Sequence, residues 1–416
     1  MIKRAIPVKR LIIWTGFLLL SACQPIPPPF ECTDAIGCVE IAPGEPIKIG
    51  MLRAIKIGPD HHRGVELALA ERDNQVLGHP VELQIEDEGC TSEGGTVTAL
   101  RVIADPQMVA VIGTTCSGAA ITAAKIISEA GLTMISGSNT APSLTSINGE
   151  QGPDWQPGYL RTAHNEANGV QMAATFIYQE LGISKVATIN DGDAYTRGFT
   201  DLFGQTFADL GGEIVLDTAV NKGELDLEPV LTAVSTAGAE LIFFPIFPAE
   251  AEKIVKQAQN IPELENIIYM GAGALLSDDF IAAIGEAGIG MYFAGRTQLE
   301  GPAFDNLMAA HESQYSEEAR EINFTYIYDA ANLLLNAIER VAIQDPNAGG
   351  SLYIGRQALR DELYATANFE GVTGSITCDQ FGDCSTIGFV ILQLNDPTTG
   401  VEGLLSNVIY PIASGQ

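Results

Sequence analysis

Between Met108 and Thr145 the chain reads MVAVIGTTCSGAAITAAKIISEAGLTMISGSNTAPSLT, and no other stretch constrains the fold as strongly. Met108–Ile112 is a short apolar run with β-branched residues that stops at Gly113-Thr114-Thr115, the pattern of a buried parallel strand. Ser117-Gly118 opens a helix of small and apolar residues that ends at Gly131. Leu132–Ile135 is a second strand, left through the polar turn Ser136-Gly137-Ser138-Asn139-Thr140. In a doubly wound sheet both turns fall at the carboxyl edge of the strands, where such folds bind ligands. Backbone N–H groups at the helix start, with hydroxyls from Ser117, Ser138 and Thr140, then make an anion-sized cradle. The competing reading is that these hydroxyls only cap helices. Two hydroxyl-rich turns after consecutive strands favour a site.

The same alternation surrounds this stretch. Strand Ile47–Met51, helix Arg63–Arg72, strand Val81–Asp87 and helix Thr96–Ile103 precede it, giving the β-α-β-α order of a parallel sheet covered on both faces. Ser146–Gly158 is polar, and Tyr159–Thr162 begins a new unit in which the alternation restarts. Its elements are helix Glu166–Leu181, strand Lys185–Asn190, helix Arg197–Leu210, strand Glu213–Ala219 and helix Leu227–Ala237. Strand Glu240–Pro245, helix Ala249–Asn260, strand Ile267–Gly271 and helix Asp278–Gly285 follow. After strand Gly290–Thr297 come helices Pro302–Ser313 and Phe324–Ala342 and then Gly355–Thr366, an order in which the chain returns to the first lobe. Gly371–Ile376, the Cys378–Cys384 turn and Ile387–Asn395 form a terminal hairpin. The expected architecture is α/β, with two Rossmann-like doubly wound lobes: 47–163 with 297–370, and 164–296 with 371–416.

Residues 1–22 carry Lys3, Arg4, Lys9 and Arg10 and then the apolar run Leu11–Leu20, which is a signal peptide. The apolar run is too short to span a bilayer. Leu20-Ser21-Ala22-Cys23 resembles the bacterial lipoprotein signal, in which Cys23 is lipidated and becomes the mature N-terminus. Residues 23–46 are a tether, stiffened by the four prolines of Gln24–Phe30. The chain is therefore expected to be exported and lipid-anchored at the periplasmic or extracellular face of the membrane.

The other six cysteines suit an oxidising compartment. Cys32 and Cys38 are six apart, as are Cys378 and Cys384, so both pairs can close local loops. Cys90 and Cys116 each follow a strand of the same parallel sheet, which places them at one edge and pairs them. Closing that loop contributes roughly 3 kcal/mol in the chain-entropy model. Without the four signal-peptide cations, 18 Lys+Arg face 52 Asp+Glu, a net charge of −34 that disfavours nucleic acid as a partner.

Catalytic signatures are missing: there is no G-x-S-x-G, H-E-x-x-H, P-loop or G-x-G-x-x-G. Neither a cofactor nor a metal is expected. His61-His62 beside Asp60 are adjacent imidazoles that rarely converge on one ion, and Asp191-Gly192-Asp193 lacks the closing Glu of a Ca²⁺ loop. Asp191 is better placed at a strand end facing the interlobe cleft. A hydrolase would need Ser117 with His164 as its base, and no spacing brings those two together.

From Ile47 to Asn395 the chain resembles the branched-chain amino acid transporter substrate-binding proteins, the leucine-binding type of the type I periplasmic-binding-protein fold. The resemblance rests on Arg63-Gly64-Val65-Glu66-Leu67-Ala68, Ile112-Gly113 through Cys116-Ser117, Ser136 through Thr145, Leu160-Arg161-Thr162, Asp193-Ala194-Tyr195 and Tyr328-Asp329-Ala330, in this order. It implies two lobes joined by a three-strand hinge, closing over a small ligand that an ABC permease then receives. It also implies that Ser117, Ser138 and Thr140 hold the ligand carboxylate and that Tyr195 closes on it from the second lobe. The expected ligand-binding set is Thr115, Ser117, Ser138, Asn139, Thr140, Tyr195 and Phe247. The chain departs from the family where an acid usually meets the ligand amine, since that position holds Gly273. Asp191 or Asp193 then stands in as amine partner, or the ligand is a small carboxylate without an amine. Phe247 or Ile246 supplies an apolar lining, and the loop Leu52–Gly58 is shorter than usual. Transport is the leading expectation. A ligand sensor feeding a membrane receptor is the alternative, and an exported hydrolase the least favoured.

Overall fold

Strand pairing in the computed structural model gives two large, mainly parallel sheets, each wound in both directions, and three small antiparallel ones. Described are Met1 and residues 30–58, 60–319, 322–345, 349–385 and 388–411. Residues 2–22 of the expected signal peptide, the anchor at Cys23 and tether residues 24–29 lie outside them.

The chain begins with β1 (Cys38–Ile41) and β2 (Ile47–Arg53), followed by α1 (His61–Ala70), β3 (Gln75–Val76) and β4 (His79–Asp87). Next come α2 (Ser92–Ile103), β5 (Met108–Gly113), α3 (Ser117–Glu129), β6 (Thr133–Ser136), the short pair β7 (Ser146–Ile147) and β8 (Glu150–Gln151), and β9 (Tyr159–Arg161). The first sheet has the order β3-β4-β2-β5-β6-β9. All pairings from β4 to β9 are parallel. Every residue of β5 is buried, as its uninterrupted apolar run requires of a central strand covered on both faces.

The second lobe contains α4 (Glu166–Thr175), β10 (Lys185–Asn190), α5 (Ala194–Asp209), β11 (Glu213–Ala219), α6 (Glu228–Ala237) and β12 (Leu241–Phe243). It continues with α7 (Pro248–Ala258), β13 (Ile268–Ala272), α8 (Asp278–Ile284) and β14 (Tyr292–Arg296). The chain then returns through α9 (Pro302–Tyr315), α10 (Asn323–Val341), β15 (Ile343–Asp345), β16 (Ser351–Gly355) and α11 (Arg356–Tyr364). Last are β17 (Phe369–Gly371), β18 (Gly374–Ile376), β19 (Phe389–Gln393), α12 (Gly400–Ser406) and β20 (Val408–Pro411). The second sheet runs β11-β10-β12-β13-β14-β19-β20, with β19 and β20 antiparallel. Leaving the edge strands aside, both sheets repeat one order. Their switch points fall between β2 and β5 and between β10 and β12.

The return of α10 to the first lobe is a matter of close approach. A Cβ on Gly64 in α1 would lie 2.3 Å from the Phe324 carbonyl, and one on Gly137 would lie 2.4 Å from the Ile327 nitrogen. Only glycine lets α10 seat against α1 and the turn after β6. Phe324, Ile327, Leu334 and Ile338 of α10 share one core with Ile49, Val65 and Ile112.

Four expectations need correction. Tyr159–Arg161 does not open a new unit. All three residues are buried, and as β9 they form the far strand of the first sheet, parallel to β6. Residues 38–41 of the expected tether are a strand, because Cys38–Ile41 pairs antiparallel with β16. Gly371–Ile376 does not pair with the segment ending at Asn395. It folds back on Phe369 as β17–β18, and the Asp329 carboxylate receives the Val372 and Thr373 N–H groups at the turn. Apolar β19 instead finds two-sided burial beside β14. Finally, 371–384 stays with the first lobe rather than starting at 371 with the second, since Ile376 and Cys384 are buried in its core. The three chain crossings follow β9, β14 and Cys384.

Candidate ligand-binding cleft

At the first switch point β5 ends beside β2, with Gly113 opposite Leu52. The turn that follows is held from below by Glu88, which is 0% exposed. Its carboxylate accepts the Cys90 N–H at 2.6 Å and the Thr115 and Cys116 N–H groups at 3.1 Å each. Burial pushes the Glu88 carboxyl above its ordinary value, and these three donors oppose the shift. The Cys90–Cys116 disulfide closes directly above, with Cα atoms 5.1 Å apart. Cys32–Cys38 and Cys378–Cys384 are also closed.

This clamp changes the expected cradle. Two of its N–H groups face Glu88 and not a ligand. Thr115 is a brace: its Oγ1 accepts the Ala54 N–H at 3.0 Å and lies 2.9 Å from His61 Nδ1, while its carbonyl accepts the Ser138 hydroxyl at 3.0 Å. Asn139 is likewise engaged within the lobe. Its amide bonds Thr114 Oγ1 at 3.2 Å and accepts the Tyr159 hydroxyl at 3.1 Å. The Thr115 and Ser138 hydroxyls and the Asn139 amide thus each have a partner within the first lobe. The buried amide had to find partners, and it found them in the core.

Ser117 and Thr140 lie on the same two turns. Ser117 Oγ accepts the Ala141 N–H at 3.3 Å, which leaves its own hydrogen to donate. It also begins α3, whose first N–H groups have no intrahelical acceptor. The Thr140 carbonyl accepts the Glu166 N–H at 3.1 Å. The turn is fixed by Arg161, fully buried, which donates to the Ala141 carbonyl at 2.8 Å and to Asp383 at 2.6 Å. Burial raises the Asp383 carboxyl, but the Arg161 charge and the bonds from Arg161, Asn165 and Thr145 outweigh it and hold it below the usual range.

The second lobe brings its own switch point against these turns. Asp193 caps α5 through the Tyr195 N–H at 2.9 Å, and its other oxygen pairs with Lys222 at 3.2 Å. A Cβ on Gly118 of α3 would stand 3.1 Å from Asp193 Oδ2, so the starts of α3 and α5 meet across the cleft. Phe247 packs on Ala54, Cys90 and Cys116 and carries Lys222 Nζ over its ring at 5.1 Å. The Tyr195 ring lies 6.0 Å from those of Phe199 and Phe247. Burial, then the charge of Glu166, and then Asp193 and Asp191 push the Tyr195 hydroxyl well above its ordinary pKa. A hydrogen bond with the Ala274 backbone opposes them. Tyr195 is thus a neutral hydroxyl beside Gly273-Ala274.

The sequence reading missed Glu88, Glu166 and Lys222. An acid two residues before a cysteine at a strand's carboxyl edge was a signal for Glu88. Glu166 follows the N-cap Asn165 and reads as an ordinary first-turn acid. Nothing in sequence ties Lys222 to Asp193. His164, the base a hydrolase would need, turns its Nε2 to Glu166 at 3.1 Å. Among the described residues no group of three or more His, Cys, Asp or Glu is placed to hold a metal ion. The cleft therefore offers binding groups: short-range donors on one lobe, an aromatic hydroxyl and carboxylates on the other.

Known proteins share this fold. A family model described as periplasmic binding protein matches residues 46–383. The Leu/Ile/Val-binding protein homolog 3 of Brucella melitensis biotype 1 is 24% identical over 343 residues, covering 82% of this chain and 87% of the relative. A leucine-binding protein from Thermotoga maritima superposes with a TM-score of 0.71 at 22% identity, covering 88% of this chain and 98% of the other. An ABC transporter solute-binding protein from R. palustris, solved in complex with benzoate, gives 0.70 at 18% identity over 89% and 98%. The solved structures are similar to this chain in fold, two doubly wound lobes with a cleft between them.

Proposed function

The chain belongs to the periplasmic binding protein family, and from that premise we propose that it captures a small carboxylate ligand between its lobes and delivers it to an ABC importer. The ligand is a branched-chain or related amino acid, or an amine-free acid of similar size. The observation that carries this reading is the pair Ser117 and Thr140 at the first lobe's carboxyl edge. The Ser117 hydroxyl hydrogen and the first N–H groups of α3 remain available there, with Asp193 close to Gly118. Charge-assisted hydrogen bonds of ~1.5–3 kcal/mol each, after ordering costs, suffice for the ~8 kcal/mol of a micromolar site. These donors act at contact range, while the large negative charge of the chain is screened beyond about 8–10 Å. The similar proteins support both ligand types: one is described as a Leu/Ile/Val-binding homolog and another was solved with benzoate.

The family is extracytoplasmic, and among the described residues no helix is long and apolar enough to cross a membrane. Lipidation at Cys23 would hold the protein at the membrane surface beside its permease. A thermal-shift screen tests the reading, using leucine, isoleucine, valine, 4-methylpentanoate and benzoate. A ligand at 100 times its dissociation constant adds about 2.7 kcal/mol, which raises the melting temperature visibly. Ser117→Ala should remove most of that gain. If no carboxylate shifts the wild-type transition, the reading is wrong.

A further inference from the structure

Arg296 is a cation between the lobes that no acid pairs with among the described residues. It ends β14 in the second lobe. Its guanidinium donates to the Asn323 side-chain oxygen at 2.9 Å and lies over the Tyr326 ring, 4.9 Å from the centroid. Asn323 and Tyr326 stand at the start of α10, whose apolar residues pack in the first lobe. A guanidinium carries five N–H donors, and the Asn323 oxygen takes one of them. Tyr326 is 1% exposed, and its hydroxyl is buried without a hydrogen-bond partner, which is costly. Its own ring carries the guanidinium, so the orphan donor and the cation lie within one side chain of each other. α10 also starts without a side-chain cap, and the positive end of this 19-residue helix adds to the Arg296 charge.

Strand register places this group beside the ligand cleft. Ala272 of β13 stands opposite Ala294 of β14, so Arg296 lies two residues past that level at the carboxyl edge. There β14 packs against the turn Gly273–Leu275, where a Cβ on Gly273 would meet nothing within 4 Å. From the first lobe, a Cβ on Gly137 would lie 2.6 Å from the Tyr326 carbonyl carbon, and the Thr162 hydroxyl donates to the Tyr326 carbonyl at 2.7 Å. Tyr326 is therefore seated on the same turn that carries Thr140. Arg296 spans from the open side of Gly273 in one lobe to that turn in the other, at the hinge end of the cleft, where the Thr297 N–H bonds the Gly388 carbonyl at 3.0 Å.

We propose that Arg296, with the Tyr326 hydroxyl, receives a second anionic group of the ligand, which makes the ligand a dicarboxylate or an acidic amino acid. This deepens the carboxylate-binding reading and rests on it. One carboxylate lies at Ser117 and Thr140, and the other reaches Arg296 at the hinge end. Guanidinium and carboxylate match in shape and can share two parallel hydrogen bonds. A ligand with an apolar tail would cover the cation and the buried hydroxyl and leave both without an acceptor.

The experiment is titration calorimetry on the full chain with probe pairs that differ by one terminal carboxylate, glutamate against norvaline and glutarate against pentanoate. The proteins are wild type, Arg296→Gln, Arg296→Lys and Tyr326→Phe. Wild type should bind the member with the second carboxylate more tightly. Arg296→Gln should weaken that member about 10- to 100-fold and its partner far less. Arg296→Lys keeps the charge and should retain part of the preference. Tyr326→Phe keeps the ring under the guanidinium and should give a smaller loss of the same selective kind. These two variants carry the test if Arg296→Gln does not fold. Equal losses within each pair mean that Arg296 only packs the hinge, and they overturn the proposal. So does a wild type that binds norvaline and pentanoate as tightly as glutamate and glutarate, a result that leaves the carboxylate reading intact. If neither these probes nor the thermal-shift panel binds wild type, the carboxylate reading falls and this proposal falls with it.

Discussion

Arg161 and Asp383, 222 positions apart, form an ion pair of 2.6 Å in which the guanidinium is wholly buried. The pair joins three parts of the chain that the cleft depends on. Arg161 holds the turn after β6 by the Ala141 carbonyl, and Asp383 takes the Thr145 and Ser146 hydroxyls at 2.8 and 2.9 Å and the Asn165 amide at 2.9 Å. Two of the three chain crossings therefore start from one polar knot.

Removing the acid from that knot leaves a buried cation, so Asp383→Ala should cost about 3–5 kcal/mol in unfolding free energy by denaturant titration. The pH dependence has a definite sign. The folded carboxyl titrates below its unfolded value of about 3.9, so the folded state binds fewer protons near that pH. Its contribution is complete above that value and is lost as pH falls through the folded one. Asp383→Asn should flatten the acid limb of a melting-temperature profile. An unchanged acid limb would contradict this account.

Glu88 supports the ligand turn without facing the ligand. In Glu88→Gln the amide NH₂ replaces an acceptor opposite backbone N–H groups, which should cost about 1–3 kcal/mol of stability. Because the same donors orient Cys116 and Ser117, affinity for the bound carboxylate should fall as well. Calorimetry that finds lower stability with unchanged affinity would confine Glu88 to folding.

Gly118 separates stability from binding. In Gly118→Ala the new methyl replaces glycine inside α3, which by helix propensity favours the fold by roughly 0.5–1 kcal/mol. The same methyl stands 3.1 Å from Asp193 Oδ2 and presses the lobes apart. We expect a ligand-free melting temperature that is level or higher together with weaker ligand binding; tighter binding would show that the contact does not limit closure.

The Cys90–Cys116 disulfide spans 26 positions, and replacing both cysteines with serine should cost about 3 kcal/mol in the chain-entropy model. Phe247 of the second lobe packs on this disulfide, so the double variant should lose affinity too. The Cys378–Cys384 disulfide closes a loop of only six positions, so the corresponding double variant there should lose less stability. The comparison is made by thermal melting and calorimetry on the two variants side by side.

Local pattern was enough for the alternation, the pairing of all three disulfides and many element bounds. Lys185–Asn190 and Glu213–Ala219 form strands over the very residues their alternation indicated, because the signal for a strand lies within its own few residues. That Ser117 and Thr140 lie on turns after β5 and β6 was legible for the same reason: each follows a parallel strand, and that topology puts such turns at the carboxyl edge. What the pattern could not hold was partnership. Asn139 and Thr140 are neighbours of similar polarity, yet one turns into the core towards Tyr159 and the other stays on the turn. Tyr159–Arg161 has the composition of a strand in either sheet, and only the space beside β6 decided which. The Arg161–Asp383 knot and the Glu88 clamp join residues with no common spacing. Strand and helix periods are properties of a segment, whereas the partner of a buried charge is set by which distant segment the packed lobes bring within about 3 Å.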